Sequence, residues 1–296
     1  MDMFFLDQIY IKSPLNYTGG KYKLLPQILP LFPKNINTFV DLFAGGANVG
    51  INSNSKNLII NDNLIYLIDL YEFFYKSDIF ELISKTKKYI QSHNLSWIDP
   101  NPYLKLRCEY NTKKDPFLLF ILICYSFNHQ IRFNNTHEFN VPFGKERSKF
   151  NECIEKNLSL FIRKMKMKSI LFSKLSFEKF DTSALTASDF VYCDPPYLIS
   201  TAAYNDGKRG FTGWGVKEEC MLFDFLDSLN ARHIRFALSN ILTHKGAENT
   251  LLKKWLASRS NYCVFSINKD YSNASYHLLS RDKSQTQEIL VTNYTP

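Results

Sequence analysis

Hydrophobic positions along the chain follow two different rules. Towards both ends, short runs rich in β-branched and aromatic residues alternate with glycine turns and amphipathic stretches, which is the pattern of strands interleaved with helices. Thr38-Phe39-Val40-Asp41, Leu58-Ile59-Ile60-Asn61-Asp62, Ser169-Ile170-Leu171-Phe172 and Phe190-Val191-Tyr192-Cys193 read as strands. Strands are also expected at Ile234–Ser239, Tyr262–Ile267 and Glu288–Asn293, and helices at Tyr22–Phe32, closed by Pro33, at Lys217–Asn230 and at Asn249–Ala257. From Leu64 to about Lys168 helical periodicity takes over, with Tyr71, Phe74 and Phe80 expected in the core. The run Phe117–Phe127 is about half of what a bilayer span requires, so it reads as a buried helix. Ile154, Leu158, Phe161, Ile162 and Met165 mark one face of another helix, which ends in Arg163, Lys164, Lys166 and Lys168. Cations are favoured at a helix carboxyl end in any case. The fold class is therefore α/β, with residues 1–63 and 169–296 forming a sheet domain and residues 64–168 a mostly helical insert.

The insert holds one exception to its helical pattern. Residues 130–145 alternate on both sides of Asn135-Thr136-His137, which predicts a β-hairpin. Its polar side chains include Arg132, Asn134 and Asn140, residue types that read guanine and adenine edges in a major groove. His137 and Arg132 as ordinary solvated hairpin residues explain the same pattern.

The strand Phe190–Cys193 runs into Asp194-Pro195-Pro196-Tyr197, where two prolines end the ladder and stiffen the loop. An acid and an aromatic thus stand at the carboxyl end of a strand, the edge at which open α/β sheets bind ligands. An exocyclic amine on a nucleobase is a poor nucleophile, because its lone pair is delocalised into the ring. The Asp194 carboxylate and the Pro195 carbonyl, aimed at its two N–H groups, would favour a more tetrahedral and more reactive nitrogen. Tyr197 offers a face for a base taken out of its stack. A strand-ending turn with an incidental acid is the plainer alternative.

Two upstream segments change that balance. Phe39 to Gly50 is a strand that turns through Gly45-Gly46-Ala47 into a helix, and Asp62 closes the next strand. Strand, glycine turn, helix, strand and acid together argue for an adenosine-containing ligand, the acid accepting from ribose hydroxyls. Asn16-Tyr17-Thr18-Gly19-Gly20-Lys21 puts two glycines and a lysine before a helix, which suits an anionic group and equally suits a plain helix start.

The formal charge is +8, from 36 Lys plus Arg against 28 Asp plus Glu, which favours a polyanionic partner. Residues 145–179 hold ten basic and four acidic side chains, a local +6. The six cysteines have no metal-ligand spacing and read as buried free thiols in a reducing compartment. Residues 1–11 lack a secretory pattern, so the expectation is a soluble, cytoplasmic protein.

Together these residues resemble the Dam-type, α-group family of DNA adenine-N6 methyltransferases. Asn16–Lys21 is similar to the family's motif X, Phe39–Gly50 to motif I, Asp62 to the motif II acid, Asp194–Tyr197 to catalytic motif IV, and Arg132–Gly144 to its target-recognition hairpin. The resemblance implies a Rossmann-like methyltransferase sheet with an inserted target-recognition domain. It implies S-adenosylmethionine as methyl donor, held by Tyr17, Lys21, Asp41, Phe43, Gly45, Asp62, Phe177 and Asp194, with Lys21 near its carboxylate. Asp194, Pro195, Pro196 and Tyr197 would hold a flipped adenine, and no metal is implied, because the leaving group is neutral and already activated. Double-stranded DNA would be read by Asn16, Arg132, Asn134, Asn140, Pro142 and Lys145, with a restriction endonuclease as functional counterpart. Gly45-Gly46-Ala47 departs from the usual Gly-x-Gly and is tolerable if Ala47 keeps ordinary backbone angles. Asn16-Tyr17 replaces the Lys-Trp of GATC enzymes, which puts GATC in doubt, and the carboxyl-terminal pattern of Ser239-Asn240, His244-Lys245-Gly246, Trp255, Tyr271-Ser272-Asn273 and Thr292-Asn293-Tyr294 is more similar to relatives that modify CATG or GATG, of which CATG is favoured. The rivals are a cytosine-N4 enzyme, which usually has Ser in place of Asp194, an RNA-base or protein-glutamine methylase, and a catalytically silent nucleic-acid-binding protein.

Overall fold

The computed structural model describes residues 10–199, 214–268 and 286–296. The polar loops expected around Tyr204, Arg209 and Phe211 and at Lys269–His277 lie outside those residues. Eight strands form one sheet: β1 (Thr38–Asp41), β2 (Asn57–Asn61), β3 (Ser169–Ser173), β4 (Phe190–Cys193), β5 (Arg235–His244), β6 (Ala247–Glu248), β7 (Cys263–Ile267) and β8 (Thr286–Thr292). Their order is β3-β2-β1-β4-β5-β8-β7, with the short β6 paired to β5. Pairs from β3 to β5 are parallel, whereas β8 runs antiparallel to both β5 and β7. The chain leaves β1 in one direction for β2 and β3 and in the other for β4 and β5. The loops after β1 and β4 therefore open side by side, at the switch point where such sheets bind ligands.

The sheet sorts its neighbours by alternation. Phe39, Ile60 and Tyr192 face one core with Tyr71, Phe74, Phe120 and Phe161, whereas Val40, Val191 and Phe236 face another with Leu222, Leu226 and Trp255. The first core is covered by α3 (Ile65–Lys76), α5 (Pro100–Lys113), α6 (Pro116–Tyr125) and α7 (Glu152–Lys166), and α8 (Val216–Ala231) and α9 (Thr250–Ala257) cover the second. One continuous core thus joins the helical segment to the sheet. The helices start where the sequence supplies caps: Asp99, Asp115 and Asn151 each accept a backbone N–H in the first turn, and Pro100 and Pro116 occupy positions whose N–H would be orphaned anyway. In α6 every residue from Phe117 to Tyr125 is buried, as its unbroken apolar run requires. No described helix is long and apolar enough to cross a membrane.

Four expectations need correction. The helix expected over Tyr22–Phe32 is broken into a 3-10 turn, the single turn α1 (Leu25–Ile28) and a second 3-10 turn, because Pro26 and Pro30 each lack a donor. Phe80 is 75% exposed rather than in the core, since α4 (Ile79–Ser92) turns Leu82 and Thr86 inwards instead. All six cysteines are free, yet Cys108, Cys153 and Cys220 are exposed. Lys168 is buried and donates to the carbonyls of Ser53 and Ser55 at 2.7 and 2.6 Å, so it adds nothing to the basic surface after α7. Burial lowers its pKa to about 8.

Candidate active site and nucleic-acid interface

The glycine turn after β1 is held from below and from the side. Below it, Asp41 accepts from the Gly50 N–H at 2.9 Å, tying the end of β1 into α2 (Asn48–Asn52). Gly50 has no room for more: a Cβ there would lie 2.8 Å from Asp41 Oδ2 and 2.9 Å from Leu58 Cδ1. At the side, Asp62 accepts from the Gly45 N–H through Oδ2 and from the Leu64 N–H through Oδ1, both at 2.9 Å. Gly45 has φ +47, and a Cβ on it would come within 3.0 Å of the Tyr17 ring. Ala47, expected at ordinary angles, sits at φ 53 in the left-handed region, because the tight turn must reverse direction before α2. Burial is the main cause that raises the pKa of Asp62 and pushes that of Asp41 up to about 7.

Three aromatic rings close one side of the turn. Phe43, Phe177 and Trp214 pack with centroids 5.5 to 5.7 Å apart. Trp214 is anchored by its indole N–H on the buried Glu219 carboxylate at 2.7 Å, which also accepts from Asn240 and Asn249. The rings are tilted against one another by 40 to 80° and offer an apolar side against which a purine can pack, and each Asp62 oxygen keeps a second lone pair for a hydroxyl. The residues present thus suit an adenosine-containing group.

Asp194 follows β4 directly and is buried except for 17% of its side chain. Its Oδ1 accepts from Lys21 Nζ at 2.7 Å and from the Tyr197 hydroxyl at 2.9 Å. Both donors also reach Oε1 of Glu288 on β8, Lys21 at 3.5 Å and Tyr197 at 3.1 Å. Lys21 further donates to the Gly19 carbonyl at 3.2 Å and lies 5.0 Å from the Tyr197 ring centroid. Burial opposes the charge on Lys21, but the two carboxylates outweigh it and raise its pKa. Burial raises the Asp194 pKa, and the ammonium only partly offsets it. Pro195 is buried and Pro196 exposed. Glu288 was missed as a site residue. Its signal was a charged side chain entering the apolar run Ile289-Leu290-Val291.

The segment 126–144 folds back on itself through two isolated bridges, Ser126 to Phe143 and Phe133 to Phe139, rather than the regular hairpin ladder expected. Asn134 takes the turn instead, its side-chain oxygen accepting from the N–H groups of Thr136 and Glu138 at 3.1 and 2.8 Å. His137 is exposed at φ 59, while Phe133 and Phe139 bury against Tyr66 and Tyr110. Arg132 donates through Nε to Asn140 Oδ1 at 2.8 Å and through Nη2 to the Asn140 carbonyl at 3.0 Å. Pro142 and Lys145 are exposed. Asn16 donates to the Asn128 carbonyl at 2.8 Å, so residues 16–21 touch the base of this segment at one end and Asp194 at the other.

A mixed sheet with its switch point between β1 and β4 is consistent with a methyltransferase fold. The family of D12 class N6 adenine-specific DNA methyltransferases matches residues 17–272. The chain is 47% identical over 286 residues to the type II methyltransferase M.FokI of Planomicrobium okeanokoites, and 48% identical over 285 residues to the modification methylase StsI of Streptococcus sanguinis. These matches take in 97% and 96% of this chain and 43% of each relative. A DNA adenine methylase of Salmonella typhimurium is 32% identical over 235 residues, 76% of this chain and 79% of that protein. The chain belongs to the D12 class family of N6 adenine-specific DNA methyltransferases, and it spans less than half the length of M.FokI and StsI.

Proposed function

We propose that the protein transfers a methyl group to N6 of an adenine flipped out of a short double-stranded DNA site, as the modification enzyme of a restriction system. Family membership supports the reaction, and the names of the relatives M.FokI and StsI support the setting. The observation that carries the reading is Asp194: a carboxylate only 17% exposed at the sheet's switch point, accepting from an aromatic hydroxyl, on the loop that opens beside the one carrying the glycine turn.

S-adenosylmethionine, when bound, supplies an electrophilic methyl group on a sulfonium centre. Asp62 and Gly45 would hold its ribose side, Phe43 and Phe177 its adenine, and Tyr17 covers the turn. Asp194 and the Pro195 carbonyl accept the two N–H groups of the target amine, drawing its lone pair out of the ring and aiming it. Pro196 keeps that loop rigid, and the Tyr197 ring faces the flipped base. Catalysis of this kind rests on positioning and on hydrogen bonds to the reacting amine. Lys21 is expected to contact the carboxylate of the methyl donor. Its place on Asp194 requires it to let go of that acid as substrate binds.

Residues 64–168 serve as the target-recognition region in this reading. Arg132 reads a base edge, and Asn16 positions the segment from beneath. Asn140, Pro142 and Lys145 lie beside it, and Asn134 shapes the turn. CATG is the favoured site, and a restriction endonuclease cutting the same site is the functional counterpart. Methyl transfer lost in Asp194→Ala, with duplex binding retained, supports the reading. Unchanged transfer in that variant sinks it.

A further inference from the structure

Asp194 already holds two donors on one oxygen in this structure. The Lys21 ammonium at 2.7 Å and the Tyr197 hydroxyl at 2.9 Å fill Oδ1, so an adenine N–H directed at that oxygen must take their place. A charged donor leaving a buried carboxylate for nothing loses a strong hydrogen bond and keeps its desolvation cost. Lys21 keeps the Gly19 carbonyl at 3.2 Å, and one further acceptor is shared by both donors: Glu288 Oε1 lies 3.5 Å from Lys21 Nζ and 3.1 Å from the Tyr197 hydroxyl.

Glu288 is fixed where it stands. It sits in β8, its backbone in register with Ile241 of β5 on one side and Ile267 of β7 on the other, and it is 2% exposed. Lys21 enters from the segment before the first 3-10 turn, and Asp194 and Tyr197 come from the loop after β4. Three separate parts of the chain thus meet at one acid that the proposed reaction does not use. A structural ion pair would need only one carboxylate for one ammonium.

We propose that Glu288 is a positioning residue that frees Asp194 for the target amine. As the base enters, Lys21 and the Tyr197 hydroxyl shift from Asp194 Oδ1 to Glu288 Oε1, and the vacated oxygen accepts the adenine N–H. No bond is made or broken in this step, only hydrogen bonds exchanged. The inference rests on the reading of Asp194 as the acceptor of that amine.

The test compares the wild-type chain with Glu288→Gln, Lys21→Met and the double variant. Two quantities are read: single-turnover methyl transfer at saturating S-adenosylmethionine, and the affinity, with S-adenosylhomocysteine bound, for duplexes whose target base is adenine or the amine-less purine. Glu288→Gln removes the charge that Lys21 moves to, so transfer should fall about tenfold or more and the preference for adenine over purine should vanish. Removing Lys21 as well leaves only the neutral Tyr197 hydroxyl on Asp194, so the Glu288→Gln loss should shrink to about threefold or less in the Lys21→Met background, with adenine preference restored. Equal losses in both backgrounds overturn the proposal, as does a Glu288→Gln enzyme that keeps its adenine preference. If Lys21→Met transfers too slowly to measure, the adenine preference of the double variant decides in the same way. An active Asp194→Ala enzyme would remove the underlying reading. An inactive one beside additive variants removes only this inference.

Discussion

Asn140 grips Arg132 at two points, with its side-chain oxygen 2.8 Å from Nε and its backbone carbonyl 3.0 Å from Nη2. One edge of the guanidinium is thereby spent, and the edge formed by Nη1 and the second Nη2 hydrogen takes no part in that grip. That fork matches guanine O6 and N7. Arg132→Ala should relax discrimination at a single base pair by roughly 1–3 kcal/mol. Asn140→Ala should act at the same base pair and more weakly, because it loosens the arginine rather than removing it. Methylation rates on duplexes altered at each position of the site would show this. A uniform loss across all sequences would instead make Arg132 a phosphate contact.

Asp41 links stability to pH in an unusual direction. Its folded pKa is pushed up to about 7, from an ordinary value of 3.8, by burial first and by the nearby Asp194 and Asp62 charges. A raised folded pKa means that the contribution to stability is fully present below the unfolded pKa and is lost as pH rises through the folded one. Between about pH 4 and pH 7 this group alone should cost up to ~1.4 kcal/mol per pH unit. Melting curves across that window should flatten in Asp41→Asn relative to wild type, which keeps a neutral group under the turn. An identical slope in the two proteins would contradict the assignment.

Gly50→Ala tests the packing beneath the turn. Its Cβ would stand 2.8 Å from Asp41 Oδ2, itself bonded to the Gly50 N–H, and 2.9 Å from Leu58 on β2. Asp41 Oδ2 is held by that bond and Leu58 is buried, so strain of about 1–3 kcal/mol is expected in the denaturant midpoint. A stability unchanged within error would show that the turn gives way more easily.

Asp62 should show a double effect. Both of its oxygens already take backbone N–H groups, from Gly45 and Leu64, so it holds the turn in addition to its proposed role toward the methyl donor. Asp62→Asn must point its amide N–H₂ at one of those donors, which should cost roughly 1–3 kcal/mol of stability. Calorimetry with S-adenosylhomocysteine should show weaker binding in the same variant. Stability lost with affinity kept would make Asp62 purely structural.

Much of this architecture was legible from periodicity. The strands before Asp41, Asn61 and Asp194 are short apolar runs ended by glycine, acid or proline, and each forms where its run predicts. The reversed β8 was recognised as a strand, but its insertion between β5 and β7 was not, because strand order is set by long-range packing and not by any local pattern. Phe80 misled for the opposite reason: it has the right residue type, but α4 shows that face to solvent. At the site, the acids and the glycine turn were readable as motifs. The Lys21–Asp194 contact was not, since nothing in a sequence tells which buried acid a lysine will choose.

The most direct measurement is methyl transfer from labelled S-adenosylmethionine to short duplexes carrying CATG, GATG, GATC or a scrambled site, followed by nucleoside analysis of the product. N6-methyladenine in one specific duplex, absent from the others and lost in Asp194→Ala, is the expected result. Label on cytosine, or no label on any duplex that the protein binds, would contradict the account.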